Sequence, residues 1–147
     1  MADIQRHSTA VWTGDLRAGK GKTSTGSGAL KEVDYSVPSR FENGRGTNPE
    51  ELIAAAHASC FSMMLAKLLG DAQKTPREIR TQATLTLAQR GGAWKISRID
   101  LVTEVAAEGL DADGLERIAG QAKEQCPVSV LLKPGLENMT LQARLKG

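Results

Sequence analysis

The strongest constraint on the fold is one long helical stretch. Asn48-Pro49-Glu50-Glu51 opens it. Asn48 suits an N-cap, Pro49 fits the first helical position, and Glu51 stands where a capping-box acid reaches back. From there "LIAAAHASCFSMMLAKLL" runs without a breaker to about Leu69, and Gly70 stops it. In mid-helix it carries one of only two cysteines in the chain, Cys60, ten residues after Glu50 with four alanines between them.

The remaining elements are read around that helix. "HSTAVWTG" and "GKGKTSTGSGAL" read as a hairpin with glycine-rich punctuation. Residues 36–48 read as a loop, broken by Pro38, Asn43-Gly44 and Gly46. After the helix, "TQATLTLAQ" alternates Leu85 and Leu87 against Thr84 and Thr86, and Gly91-Gly92 turns the chain into "AWKISRIDLVTEVAA". There Ile99, Leu101, Thr103 and Val105 share a face. Asp113 and Glu116 read as a capping box for a helix whose inward stripe is Leu115, Ile118, Ala119 and Ala122. Pro127 ends it and biases Cys126 away from helical geometry. A short helix over "PVSVLLK" and a strand over "ENMTLQARLK" complete the chain. Strands, helix, strands, helices and strand in that order predict an α+β fold. Without repeats or linkers, the whole of residues 1–147 reads as one domain.

Composition excludes several classes of function. Apolar residues make up 40% of the sequence, enough for a core, while aromatics are only 3%, so aliphatics must carry the packing. The net charge is +2 with no basic block, which argues against nucleic-acid binding. The first residues, "MADIQRHSTAVW", hold no apolar signal core, and no apolar run approaches the roughly 20 residues that span a bilayer. The expected location is the cytoplasm, where paired cysteines are more often catalytic or redox-active than structural. Two cysteines and the distant His7 and His57 match no usual zinc spacing, so no metal site is expected. Gly19, Gly21, Gly26 and Gly28 lack phosphate-loop spacing and read as hairpin residues.

Read from local chemistry, each cysteine keeps two meanings. Cys60, flanked by Ala58, Phe61, Met63 and Met64, is either an inert buried thiol or a redox nucleophile. His57, three residues earlier, is either packed or a helper. Cys126 precedes Pro127 and a short helix, an environment that stabilises thiolate, and so reads as the more acidic of the two. Arg40 lies in the loop before the long helix. Glu51 is occupied by its capping role, which leaves Glu50 freer for function.

The stretch "RFENGRGTNPEELIAAAHASCFSMML", with "CPVSVLLK" far downstream, resembles the OsmC/Ohr family of osmotically inducible and organic hydroperoxide resistance proteins. The resemblance spans nearly the whole chain, and "WTGDL", "GKG" and "SRFE" give it the flavour of the OsmC branch. It implies antiparallel sheets packed around a long central helix in an intertwined homodimer. It also implies a cysteine peroxidase that needs no metal or cofactor. Cys60 matches the peroxidatic cysteine, Cys126 the resolving one, Arg40 the OsmC-branch arginine and Glu50 the family glutamate. The Ohr branch carries its arginine earlier, in the region of Arg17.

On that reading a Cys60 thiolate attacks a peroxide oxygen while a guanidinium stabilises thiolate and leaving group. Glu50 orients the guanidinium. Cys126 condenses with the Cys60 sulfenic acid to a disulfide, and an external thiol, such as a dihydrolipoyl group or thioredoxin, resets it. A protein thiol–disulfide oxidoreductase and a small-ligand stress-binding module on the same scaffold are the alternatives. Glu50 and Cys60 lie roughly 15 Å apart along an ideal helix. Two antiparallel copies crossing near Ala55 would bring Glu50 of one level with Cys60 of the other, and the intervening alanines would permit close approach. The bland alternative is that the alanines pack under the chain's own sheet.

Overall fold

A computed structural model describes residues 2–146. The chain forms two compact units that divide between Leu52 and Ile53.

The first unit is built on a three-stranded antiparallel sheet: β1 (Ser8–Thr13), β2 (Lys20–Thr25) and β3 (Val33–Tyr35), in that order. The expected hairpin is β1–β2. Gly21 pairs with Trp12 on one side and Tyr35 on the other. The Tyr35 ring lies so close over Gly21 that a Cβ there would fall 2.2 Å from it. The missing side chain thus makes room for the Trp12–Tyr35 aromatic pair, with centroids 5.5 Å apart.

Residues 36–48 are not all loop, as the sequence suggests. They contain a short helix, α1 (Val37–Phe41), whose N-cap Ser36 exchanges hydrogen bonds with Ser39 in a capping box. Serine replaces the usual Glu or Gln at the third position, which hides the motif. The long helix α2 covers Pro49–Asp71. Asn48 caps it by accepting the Glu51 N–H at 2.8 Å, while the Glu51 carboxylate accepts from the Thr47 hydroxyl at 2.9 Å. The expected reach of Glu51 back to the Asn48 amide is replaced by that bond.

The second unit contains most of α2 and a second sheet. Its long hairpin, β4 (Pro76–Arg90) and β5 (Ala93–Ala107), turns at Gly91 and Gly92, both at positive φ. Next come α3 (Ala112–Gln125), α4 (Pro127–Leu132), a single 3₁₀ turn over Lys133–Gly135, and β6 (Asn138–Leu145). The expectation of antiparallel sheets holds for every strand pairing but one: β6 runs parallel to β5. The intervening helices supply the crossover that a parallel neighbour requires. The cap of α3 is Asp111, accepting the Gly114 N–H at 2.8 Å, two residues before the expected Asp113.

The β5 face Ile99, Leu101, Thr103 and Val105 is fully buried. With it in one core lie Phe61, Leu65 and Leu69 of α2 and Leu115, Ile118, Ala119 and Ala122 of α3. Each large aliphatic or aromatic side chain there contributes about 1.5–3 kcal/mol. A satisfied polar chain crosses the same core: Ser62 donates to Thr81 at 2.8 Å, and Thr81 meets Thr103 at 2.9 Å. It holds α2 on the hairpin two residues beyond Cys60.

At 23 residues, α2 is long and apolar enough to cross a bilayer by length and composition, contrary to the sequence expectation. Alanines raise its mean hydropathy, and His57, Ser59, Ser62 and Lys67 interrupt it. Its inward stripe His57, Phe61, Leu65 and Leu69 is fully buried at spacings of four.

Candidate active site

The sequence candidates form two pairs, one in each unit. In the first unit α1 presents Arg40 to Glu50 in the first turn of α2. Arg40 Nη2 donates to Glu50 Oε1 at 2.6 Å, and Nε lies 3.1 and 3.2 Å from the two carboxylate oxygens. Planar guanidinium and carboxylate meeting in this forked way fix one another's orientation as well as their charge. Three further bonds hold the frame. The Asn48 amide donates to the Ser39 carbonyl at 3.1 Å, the Ser39 hydroxyl to the Thr47 carbonyl at 2.8 Å, and the Arg40 N–H to the Ser36 carbonyl at 3.1 Å. Glu50 is buried, and the Arg40 guanidinium also lies 5.2 Å from the Phe41 ring centre. Arg17 sits instead in the β1–β2 turn, where its N–H donates to Asp15.

In the second unit the two sulfurs meet. Cys126 Sγ lies 3.0 Å from Cys60 Sγ, and both thiols are free. Pro127 causes the approach: it ends α3 at Cys126, whose extended backbone (φ −62°, ψ 120°) turns the chain into α4. Cys126 is fully buried and donates its S–H to Cys60, which is only partly buried.

The first turn of α4 was expected to serve Cys126. Its Val128 N–H is instead given to the Cys60 sulfur. Burial pushes the Cys60 thiol up, the Cys126 sulfur adds to that rise, and the Val128 N–H pulls it down, with a net upward result. Cys60 is therefore the sulfur with both an approach from solvent and an amide to hold its charge. Within this unit nothing among those influences is cationic.

A second link joins the same two helices. His57 Nε2 lies 2.7 Å from the Ser129 hydroxyl, both groups buried. Burial lowers the His57 pKa, so the ring is neutral. Its Nδ1 is buried without a hydrogen-bond partner among the described residues. Sequence reading weighed His57 only as a neighbour of Cys60 and passed over Ser129. The signal was the four-residue spacing of His57, Phe61, Leu65 and Leu69, which puts the histidine on the core stripe. No group of three or more His, Cys, Asp or Glu side chains that could hold a metal ion occurs among the described residues.

Comparison with known proteins gives this geometry a family. Over 143 residues the chain is 46% identical to "Peroxiredoxin OsmC" of Escherichia coli, covering 97% of this chain and 98% of that one. It is 29% identical to an organic hydroperoxide resistance protein of Xanthomonas axonopodis pv. citri over 81% of this chain and 85% of the relative. The crystal structure of an organic hydroperoxide resistance protein OsmC from Legionella pneumophila matches the fold with a TM-score of 0.74. That likeness covers 99% of this chain and 100% of the other at 20% identity. A family model for OsmC-like protein matches residues 42–138, and the chain belongs to that family.

Proposed function

We propose that the chain is a cysteine-based peroxidase that reduces organic hydroperoxides to alcohols at Cys60. The observation that carries this reading is the pair of free sulfurs 3.0 Å apart, one partly exposed and one fully buried. The Cys60 thiolate attacks one oxygen of the peroxide, the O–O bond breaks, and the alkoxide takes up a proton and leaves as alcohol. The sulfenic acid left on Cys60 then condenses with the Cys126 thiol, releasing water. A dithiol, of the dihydrolipoyl or thioredoxin kind, returns the disulfide to two thiols, and no metal or organic cofactor takes part. Burial of Cys126 leaves only Cys60 open to another protein's disulfide, which is less suited to a protein thiol–disulfide oxidoreductase than to a peroxidase.

Attack needs a thiolate, and the environment of Cys60 in its own unit pushes the thiol up. A guanidinium is the missing influence, and Arg40, oriented by Glu50, is the group built to supply it. We assign Arg40 and Glu50 to the Cys60 of a second copy in a homodimer. Support comes from α2, of which only 22% of the most apolar stretch is buried, leaving Ala55, Ala56, Ser59 and Met63 exposed on one side. An apolar helix face of small residues is suited to close packing against its own copy. Relatives matching over 97% of the chain and a family model running from residue 42 to 138 support one peroxidase domain made of both units. Cysteines that are reset to thiols by a dithiol reductant fit a cytoplasmic enzyme.

The test is steady-state consumption of an alkyl hydroperoxide, with hydrogen peroxide in parallel, against dihydrolipoamide and thioredoxin as reductants. Turnover with the alkyl peroxide that exceeds turnover with hydrogen peroxide supports the proposal. Disulfide exchange on proteins without peroxide consumption would replace it with the oxidoreductase reading.

A further inference from the structure

The two attachments between α2 and α4 form one device. Cys60 meets Cys126, and three residues back on α2 and three residues forward on α4, His57 meets Ser129. The pairs are therefore one helical turn apart on each element, in opposite chain directions, and the His57–Ser129 pair holds α4 to α2 beyond the contacts at the Cys60 sulfur. At the sulfurs α4 is held through its first turn, by the Cys126 S–H and the Val128 N–H on Cys60, while Val128 and Leu132 pack against the core. The Ser129 bond to His57 adds a directional hold beyond that apolar packing. We propose that the buried His57–Ser129 hydrogen bond is a positioning clamp for the resolving step, holding Cys126 in line with the oxidised Cys60. The proposal rests on the assignment of Cys60 and Cys126 as peroxidatic and resolving cysteines.

The step that needs the clamp is the second one. In it the Cys126 sulfur, giving up its proton, attacks the Cys60 sulfur. The S–S bond forms as the S–O bond of the sulfenic acid breaks, and hydroxide leaves with that proton as water. Cys126 is oxidised and the sulfenic sulfur reduced, so no outside reagent enters. A disulfide is about 2.05 Å long, so sulfurs already 3.0 Å apart need to close by only about 1 Å. Oriented groups at such range react far faster than free ones, and a displacement of about 1 Å can cost roughly a hundredfold. Attack by peroxide on Cys60, by contrast, does not use Cys126, and of α4 it draws only on the Val128 N–H that helps hold the thiolate. Slippage of α4 should therefore slow disulfide formation far more than the first step, which loses at most the help of that amide. A sulfenic acid that waits too long meets a second peroxide and passes to sulfinic acid, which thiols do not reduce.

The local chemistry fits a clamp better than a proton carrier. The His57 ring is fully buried, and its far nitrogen, Nδ1, has no partner to pass a proton to among the described residues. A neutral ring has one N–H and one bare nitrogen, so its one polar link, to Ser129, is the link it exists to make.

The test follows the two steps separately in the full-length protein by rapid quench with cumene hydroperoxide. Sulfenic acid is scored as the dimedone adduct at Cys60, and disulfide and sulfinic acid are scored by mass. Ser129→Ala should lose much less in the rate of sulfenic acid formation than in the rate of disulfide formation. It should form disulfide some ten- to a hundredfold more slowly, and accumulate sulfinic acid at excess peroxide. Ser129→Thr, which keeps the hydroxyl, should restore the parental disulfide rate. If Ser129→Ala does not fold, His57→Leu, similar in volume and apolar, gives the same readout. Parental disulfide formation in a folded Ser129→Ala protein overturns the clamp, and so does an equal loss in both steps. A parent protein without the Cys60 adduct or the Cys60–Cys126 disulfide overturns the cysteine assignment itself, and that outcome is distinct from either.

Discussion

Acidification should weaken the fold through one ring, that of His57. Its side chain is fully buried, and its burial lowers the pKa below the ordinary 6.5. Protonation would put a charge in the core and leave both ring nitrogens bearing hydrogen, with no acceptor for Nδ1 among the described residues. The unfolded chain therefore binds this proton before the folded chain does. Stability is complete above pH 6.5, falls as pH drops below it, and stops falling once the folded ring titrates too. One proton sets a ceiling of about 1.4 kcal/mol per pH unit. Allowing for the curve near the midpoint, the loss from pH 6.5 to 5.5 approaches about 1 kcal/mol. The paired carboxylates whose pKa values are lowered do not compete in this window. Asp100 is held low by Arg98 and then Thr140, and Glu78 by Lys146 and then Arg80, so both act below the ordinary 3.8 and 4.5. The assay is urea unfolding at fixed protein concentration across pH 7.5 to 5.5, with His57→Gln alongside. Glutamine places an Nε2 donor near the same spot and does not titrate in this window. The parent should lose stability towards pH 5.5 while the variant stays flat. Equal slopes in the two proteins, or no slope in the parent, would refute the description of His57 as a neutral core residue.

Cys60→Ser should abolish peroxide reduction, whereas Cys126→Ser should consume about one equivalent and hold a sulfenic acid at Cys60, detected by dimedone mass labelling. Arg40→Ala should raise the Cys60 pKa and slow its oxidation far more than Arg17→Ala does, as read from pH–rate profiles. An equal or larger loss at Arg17 would shift the arginine to the β1–β2 turn. Leu65→Ala, at a fully buried position, should cost about 2–5 kcal/mol in denaturant unfolding. Mixing Cys60→Ser and Glu50→Ala chains and allowing subunit exchange should rebuild one intact site per heterodimer, so activity should rise above either parent. Verified exchange without recovery would place Glu50 in service of its own chain.

Where side chains follow a period, the sequence was legible. The β5 residues Ile99, Leu101, Thr103 and Val105 recur at every second position, and Leu115, Ile118, Ala119 and Ala122 recur at helical spacing, so their burial follows from pattern alone. The Pro127 break likewise announced the extended backbone of Cys126. What escaped was set by tertiary context. Ser36 and Ser39 cap α1 with a serine where an acid is usual. Parallel pairing of β6 depends on which side of β5 the crossover returns to, and an alternating pattern does not encode that. The helix-end amide that local chemistry allotted to Cys126 reaches Cys60, since a sulfur at the N-cap sits beside the first turn while a neighbouring helix can point one straight at it. Ser129 gave no signal of its own. Its importance depends on a histidine 72 positions earlier in the chain.

The position of Cys60 on α2 accounts for its chemistry. Moving along the helix by three residues turns about 60° from the original direction, so Cys60 lies to one side of the buried stripe that begins at His57. With Met64 and Leu68 it makes a second stripe at spacing four, and all three are partly buried. Its neighbours show what other positions would do. Position 61, held by Phe61, is fully buried and closed to a peroxide. Position 59, held by Ser59, is exposed on the far side, where a thiol would meet solvent without the S–H of Cys126 or the amide of Val128. Only on the border stripe can one sulfur face an incoming peroxide and, with a movement of about 1 Å to a bond of 2.05 Å, a buried partner behind it. The same placement explains why the clamp lies at His57. The residue one turn earlier on the adjoining core stripe can grip α4 without obstructing the approach to the sulfur.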